Sequence, residues 1–93
     1  MICVRFAEKT ATISGHAGYA KRGGDIVCAA MSALVYVQAR LLEKAGALAS
    51  LEAQDGFVRL RLNDGARCEV LELGARWLAT EYPRCVKVLG DQE

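Results

Sequence analysis

Gly15–Ser32, GHAGYAKRGGDIVCAAMS, is where one kind of sequence gives way to another. Before it apolar residues alternate with a period of two; after it they recur every three or four. The part before Asp25 carries Gly18, Gly23 and Gly24, too much glycine for a stable helix or a central strand, and this predicts a flexible loop. Asp25 then stands where a helix N-cap belongs, its carboxylate placed to accept from the backbone N–H of Val27 or Cys28. Capping is the expected role of Asp25 ahead of any direct chemistry. With Asp25 as cap, Cys28 is the third helical residue. The unpaired N–H groups and positive dipole end of that turn stabilise a thiolate. His16, the only histidine, falls where the preceding strand leaves the sheet, and it supplies a base. The two residues fit a Cys/His nucleophilic pair. On residue chemistry alone the plainer reading is the stronger one: a small inert cysteine and a strand-end histidine, because free cysteine is among the most buried residue types.

Outward from this stretch the order of elements follows. Ile2, Val4 and Phe6 alternate with Cys3 and Arg5, a half-buried strand, and Thr10–Ser14 repeats the pattern after a turn at Ala7-Glu8-Lys9. Past Asp25 a helix is predicted to about Lys44, with Val27, Ala30, Leu34, Val37 and Leu41 on one stripe, a second apolar flank from Ala33, Tyr36 and Leu42, and Gly46 as its stop. So wide an apolar surface needs two neighbours, the sheet and either a second helix or a partner chain. Residues 48–62 predict a hairpin about Asp55-Gly56, a two-residue turn with both centres at positive φ. Its register sets Ala53 against Val58 and Leu51 against Leu60 on the core side, and Glu52 against Arg59 on the other. A second helix is predicted over about Ala66–Tyr82, after Asn63-Asp64-Gly65 and before Pro83, with Val70, Leu73, Trp77, Leu78 and Tyr82 inward. Gly74 within it marks the close approach of another element. Val86 and Val88 form a last strand, and Gly90–Glu93 a polar tail. The fold class is α+β: one domain over residues 1–93, β-β-α-β-β-α-β, two helices on a mainly antiparallel sheet.

Composition narrows the function. Ninety-three residues, 53% apolar and 25% charged, suit one soluble core, and a net charge of +1 gives no global attraction to a polyanion. Cys3, Cys28, Cys68 and Cys85 form no C-x-x-C pair and there is one histidine, so no metal-site spacing is present and reduced thiols in a cytoplasm are expected. The first residues are too short and too interrupted for a signal peptide, and no apolar run approaches the ~18 residues of a membrane span. No membrane association is expected.

Gly15-His16-Ala17-Gly18-Tyr19-Ala20, a short glycine-containing loop, and Asp25-Ile26-Val27-Cys28-Ala29-Ala30 followed by Ser32 and Ala33-Leu34 together resemble the signature of the ribosomal-processing cysteine protease family, Prp. Length and element order agree along the rest of the chain. The resemblance implies an endopeptidase with Cys28 as nucleophile and His16 as general base and acid. It implies Asp25 and Ser32 at the substrate cleft and a homodimer; no cofactor is expected, and the near-zero net charge gives no reason to expect direct contact with nucleic acid. The implied substrate is the large-subunit ribosomal protein numbered twenty-seven, from which an N-terminal extension is removed. Geometry adds the backbone N–H of Cys28 and its neighbours as a possible oxyanion site. No third residue to orient His16 is evident, since the only asparagine is Asn63 and the nearest carboxylate in sequence is Asp25; a dyad is expected. Ser32, one turn past Cys28, is equally a helical serine bonded back to a carbonyl. Tyr19, Lys21 and Arg22 carry no assigned role.

Two other classes compete. One is a non-catalytic ribosome- or RNA-associated module that uses Arg59, Arg61, Arg67 and Lys87, although no aromatic pair is placed for base stacking. The other is a thiol redox protein, for which no resolving cysteine lies near Cys28 in sequence.

Overall fold

A computed structural model describes residues 1–21 and 23–90; Arg22 of the glycine-rich loop and the end of the predicted tail, residues 91–93, lie outside the described residues. The order is β1 (Ile2–Phe6), β2 (Thr10–Ser14), α1 (Ile26–Lys44), β3 (Leu48–Gln54), β4 (Phe57–Leu62), α2 (Glu69–Glu81) and β5 (Val86–Gly90). The five strands form one sheet in the order β3-β4-β2-β1-β5. Every pairing is antiparallel except β1 with β5, which run parallel with Ile2 opposite Val86 and Val4 opposite Val88. This is the expected β-β-α-β-β-α-β architecture of two helices on a mainly antiparallel sheet.

Period-two alternation puts Val4, Ala11, Leu60 and Val86 on one face, all essentially buried. Both helices pack there. The opposite face stays open and carries Arg5, Arg59, Arg61 and Lys87 beside Thr10, Thr12 and Ser14. Arg59 lies over the Phe57 ring, 5.2 Å from its centroid, and faces Glu52 at 3.6 Å, the predicted cross-strand pair.

The ends of α1 are set by local chemistry. Asp25 caps its start, and Gly46, at φ +68°, closes its end in a Schellman arrangement in which the N–H groups of Gly46 and Ala47 donate to the carbonyls of Glu43 and Leu42. Its inward stripe differs from the predicted one. Val27, Met31, Val35, Gln38 and Leu42 are buried, whereas Val37 and Leu41 are about half exposed and Tyr36 more so. A helix apolar on nearly every side has no preferred stripe of its own, so the sheet and α2 choose it. Ala30 and Leu34 face α2, where the predicted close approach at Gly74 is found: a Cβ there would collide with the Leu34 side chain. At 19 residues, α1 is long and apolar enough by composition to cross a membrane, contrary to the reading from uninterrupted runs, because Ala, Met and Val continue the apolar character past single polar residues. It packs here as the core helix of the sheet.

Helix α2 begins at Glu69, later than predicted: Asn63-Asp64-Gly65 precedes it, and residues 66–68 stay outside the helix, with Cys68 as N-cap. The Asn63 side-chain amide donates to the Gly46 carbonyl at 2.9 Å, and its backbone N–H to Ala47. No side chain at Cys68 caps it. Instead the buried Gln38 of α1 accepts from the Leu71 N–H at 3.0 Å. Leu71, Ala75 and Leu78 point inward; Leu73 and Trp77, predicted on the inner stripe, are exposed.

The β3–β4 register is the predicted one, with Leu51 opposite Leu60 and Ala53 opposite Val58. Two details differ. Only Gly56 takes positive φ (+73°) while Asp55 does not, and the Gly56 carbonyl accepts from Gly15 N–H at 2.8 Å. Leu51 and Ala53 are exposed instead of core-facing, because the helices leave this edge of the sheet uncovered. That gap is the site.

Candidate active site

Where β2 ends, its pairing with β4 sets Ser14 opposite Phe57, so the chain leaving the sheet at Gly15-His16 runs beside the Asp55-Gly56 turn. A glycine is required at residue 15: at φ +91° a side chain is strained, and a Cβ would strike the Met1 carbonyl. His16 is therefore held at a fixed exit point, its side chain more than half exposed and its Nε2 3.9 Å from Asp55 Oδ1.

Cys28 lies in the first turn of α1, partly buried, as expected. The backbone N–H of Ala17 donates to its Sγ at 3.3 Å. This contact brings the residue after His16 onto the thiol. It places a backbone donor on the sulfur beside the N-terminal end of the α1 dipole. Ala17 is itself buried, which anchors the donor.

Asp25 holds the two pieces together. Oδ1 accepts from Val27 and Cys28 N–H, both at 3.0 Å, and Oδ2 accepts from Tyr19 N–H at 3.0 Å and Ala20 N–H at 3.3 Å. These bonds, the one from Cys28 foremost, hold its carboxyl below the usual aspartate range, against a smaller opposing effect of desolvation. The capping role expected of Asp25 is thus observed, and it extends to the loop. It also corrects one expectation. With Cys28 and Val27 N–H both bonded to Asp25, neither is available to an oxyanion in this conformation. Tyr19 packs edge-on against Tyr82 with ring centroids 5.6 Å apart, a second tie for the loop. Gly18, Gly23 and Gly24 lie on its exposed surface.

Cys28, His16 and Ser32 line one cleft of about 310 Å³ between α1 and the β3–β4 hairpin. Its walls are mainly apolar, from Ile13, Met31, Val35, Leu51, Phe57 and Val58. Ser32 is exposed to it; unlike Thr80, whose hydroxyl donates to the Arg76 carbonyl, it makes no bond to a carbonyl among the described residues. Among the described residues no cluster of His, Cys, Asp or Glu is arranged to hold a metal. The four cysteines are free thiols, and burial together with the Glu72 charge pushes Cys68 up to about 11.

The sequence model of the cysteine protease Prp family matches residues 1–87. The chain belongs to the Prp family of cysteine proteases. The Prp fold is seen in solved structures too. The ribosomal processing protease Prp of S. aureus, with a covalently linked product peptide, superposes with a TM-score of 0.87 at 19% identity, covering 98% of this chain and 100% of that one. The same S. aureus protease with a substrate peptide gives 0.78 at 19% identity over the same shares. SMU.848 of Streptococcus mutans gives 0.73 at 27% identity, covering 97% and 93%. No curated protein matches the chain.

Within this Prp chain the structure brings together His16, Asp25, Cys28 and Ser32, all named from sequence. Sequence reading missed Ala17, Asp55 and the apolar wall of the β3–β4 hairpin. Ala17 acts through its backbone, which no side-chain pattern signals. Asp55 looked like turn chemistry alone. Arg67, grouped in sequence with Arg59, Arg61 and Lys87, lies apart from them and stands 3.8 Å from Glu72.

Proposed function

We propose that this protein is an endopeptidase in which Cys28 attacks a peptide carbonyl and His16 takes the thiol proton, then returns it to the leaving amine. The thioester so formed is hydrolysed by water that His16 deprotonates in turn. The observation that carries the reading is the Ala17 N–H to Cys28 Sγ bond, which draws the His16 segment onto the helix start inside a single apolar cleft. Asp25 supports the pair by fixing Cys28 and the loop, and Ser32 lines the path of the peptide.

The proposed substrate is the N-terminally extended large-subunit ribosomal protein twenty-seven. Support comes from the family and from the S. aureus protein, which is a ribosomal processing protease. The mainly apolar walls suit an apolar segment of an extended peptide. A loop over Gly18–Gly24 that closes only on the right peptide supplies specificity by induced fit. Equal hydrogen exchange in that loop with and without peptide would remove this last element. We place the protein in the cytoplasm, where its free thiols persist.

Incubation of the extended ribosomal protein with wild type, Cys28→Ala and His16→Ala, in the presence of a reductant and followed by intact mass, is the deciding experiment. Loss of the extension with wild type and with neither variant is expected. No cleavage by folded wild type would overturn the reading.

A homodimer through the outer face of the helices is proposed as well. Val37 and Trp77 line a shallow apolar groove there, and Leu73 is exposed nearby. Sedimentation equilibrium is expected to give twice the chain mass for wild type and one chain mass for Trp77→Glu; a monomeric wild type at working concentration would end this proposal.

One observation favours a second reading. Arg5, Arg59, Arg61 and Lys87 share the open sheet face with Glu52, as a ribosome- or RNA-associated module requires. Affinity for ribosomal RNA that weakens with salt and survives Cys28→Ala would support it.

A further inference from the structure

We propose that Asp55 is a positioning residue for His16: its carboxylate accepts the Nε2 proton and leaves Nδ1 as the base in the cleft that His16 shares with Cys28. This rests on the protease reading above and adds a third member to the expected dyad. His16 Nε2 and Asp55 Oδ1 are 3.9 Å apart, within ion-pair distance and long for a hydrogen bond. Such contacts in unliganded sites tighten when substrate excludes water.

The placement is built in, not incidental. Gly15 N–H donates to the Gly56 carbonyl, so the backbone on either side of the contact is bonded together. Ser14 pairs with Phe57 one step further along. Nε2 is the imidazole atom nearest the turn: a Cβ added at Gly56 would lie 3.0 Å from it, against 3.7 Å from each neighbouring ring carbon. Glycine at 56 thus lets the ring sit on the turn.

The other carboxylate near the site cannot do this work. Asp25 is the nearer in sequence, but its two oxygens already accept from four backbone N–H groups. A histidine serves as a base through one nitrogen only when the other carries the proton, and the partner of that other nitrogen fixes which tautomer is present. Asp55 is the group placed to do so.

Because His16 is the only histidine in the chain, ¹⁵N NMR of its ring nitrogens reports the tautomer without assignment and without substrate. In the full-length protein the proton is expected on Nε2 in wild type and distributed between both nitrogens in Asp55→Ala. In the cleavage assay Asp55→Ala is expected to lower kcat by about a hundredfold, with KM changed by less than about twofold. Asp55→Asn, whose amide oxygen accepts the same proton, is expected to recover most of that loss. A ring tautomer identical in wild type and Asp55→Ala, or a kcat within about twofold of wild type, overturns the proposal. If wild type cleaves nothing, the NMR comparison still decides whether Asp55 orients His16, so failure of the protease reading is told apart from failure of this one.

Discussion

At the residue scale the thiols and carboxylates divide by environment. Cys28 is partly buried at a helix start with an N–H aimed at its sulfur, whereas Cys68 is enclosed and pushed up to about 11. Brief iodoacetamide treatment of the folded protein at mildly alkaline pH is therefore expected to label Cys28 first and to leave Cys68 unlabelled until denaturant is added. Peptide mapping reads the outcome, and equal labelling rates would contradict it. Asp25 makes a pH prediction. Its folded carboxyl titrates below the ordinary 3.8, so its contribution to stability is present above that value and fades as the pH falls through the lower folded one. Asp25→Ala is expected to melt earlier than wild type at neutral pH, and the gap between their Tm values is expected to close in acid below about pH 3.8. A gap that stayed constant into acid would show that the charge on Asp25 contributes nothing.

At the element scale the helices are coupled through a polar contact inside an apolar interface. Gln38 is 3% exposed and supplies the acceptor that the start of α2 lacks locally. Replacing it with leucine keeps the volume and leaves the Leu71 N–H buried without a partner, at a cost of about 1–3 kcal/mol. For a domain of this size each 1 kcal/mol lowers Tm by roughly 4–8 °C. Gln38→Leu is thus expected to melt visibly below wild type, with faster hydrogen exchange at the Leu71 amide. A variant as stable as wild type would mean that water replaces the lost acceptor. Neither helix could have been oriented from its own sequence. Both carry more apolar positions than one stripe needs, and the predicted stripes put Val37, Leu41, Leu73 and Trp77 inside where the fold leaves them out.

At the scale of the whole molecule the first and last described strands pair at one side of the sheet. β5, the last described element, pairs in parallel with β1, the first, and buries Val86 against the core. Ending the chain at Arg84 would make β1 an edge strand and remove that packing. The truncated protein is expected to lose its cooperative thermal transition, as circular dichroism would show; a sharp transition near the wild-type Tm would contradict this.

The whole molecule also explains why the site was partly legible. The sequence by itself determined whatever local physics decides: strands from period-two alternation, the start and stop of α1 from Asp25 and Gly46, the end of α2 from Pro83, and with them the position of Cys28 in a first helical turn. The family resemblance rested on that same local stretch. Only the tertiary structure decided the rest. Which side of α1 faces the sheet, the Gln38 acceptor for α2, the Ala17 N–H on the Cys28 sulfur, and the approach of Asp55 to His16 all depend on segments remote in sequence. Pairing of β2 with β4 brings the His16 exit and the Asp55 turn together. Such contacts form only once burial of the shared apolar face has fixed the strand order and register, and no pattern within a single segment encodes that.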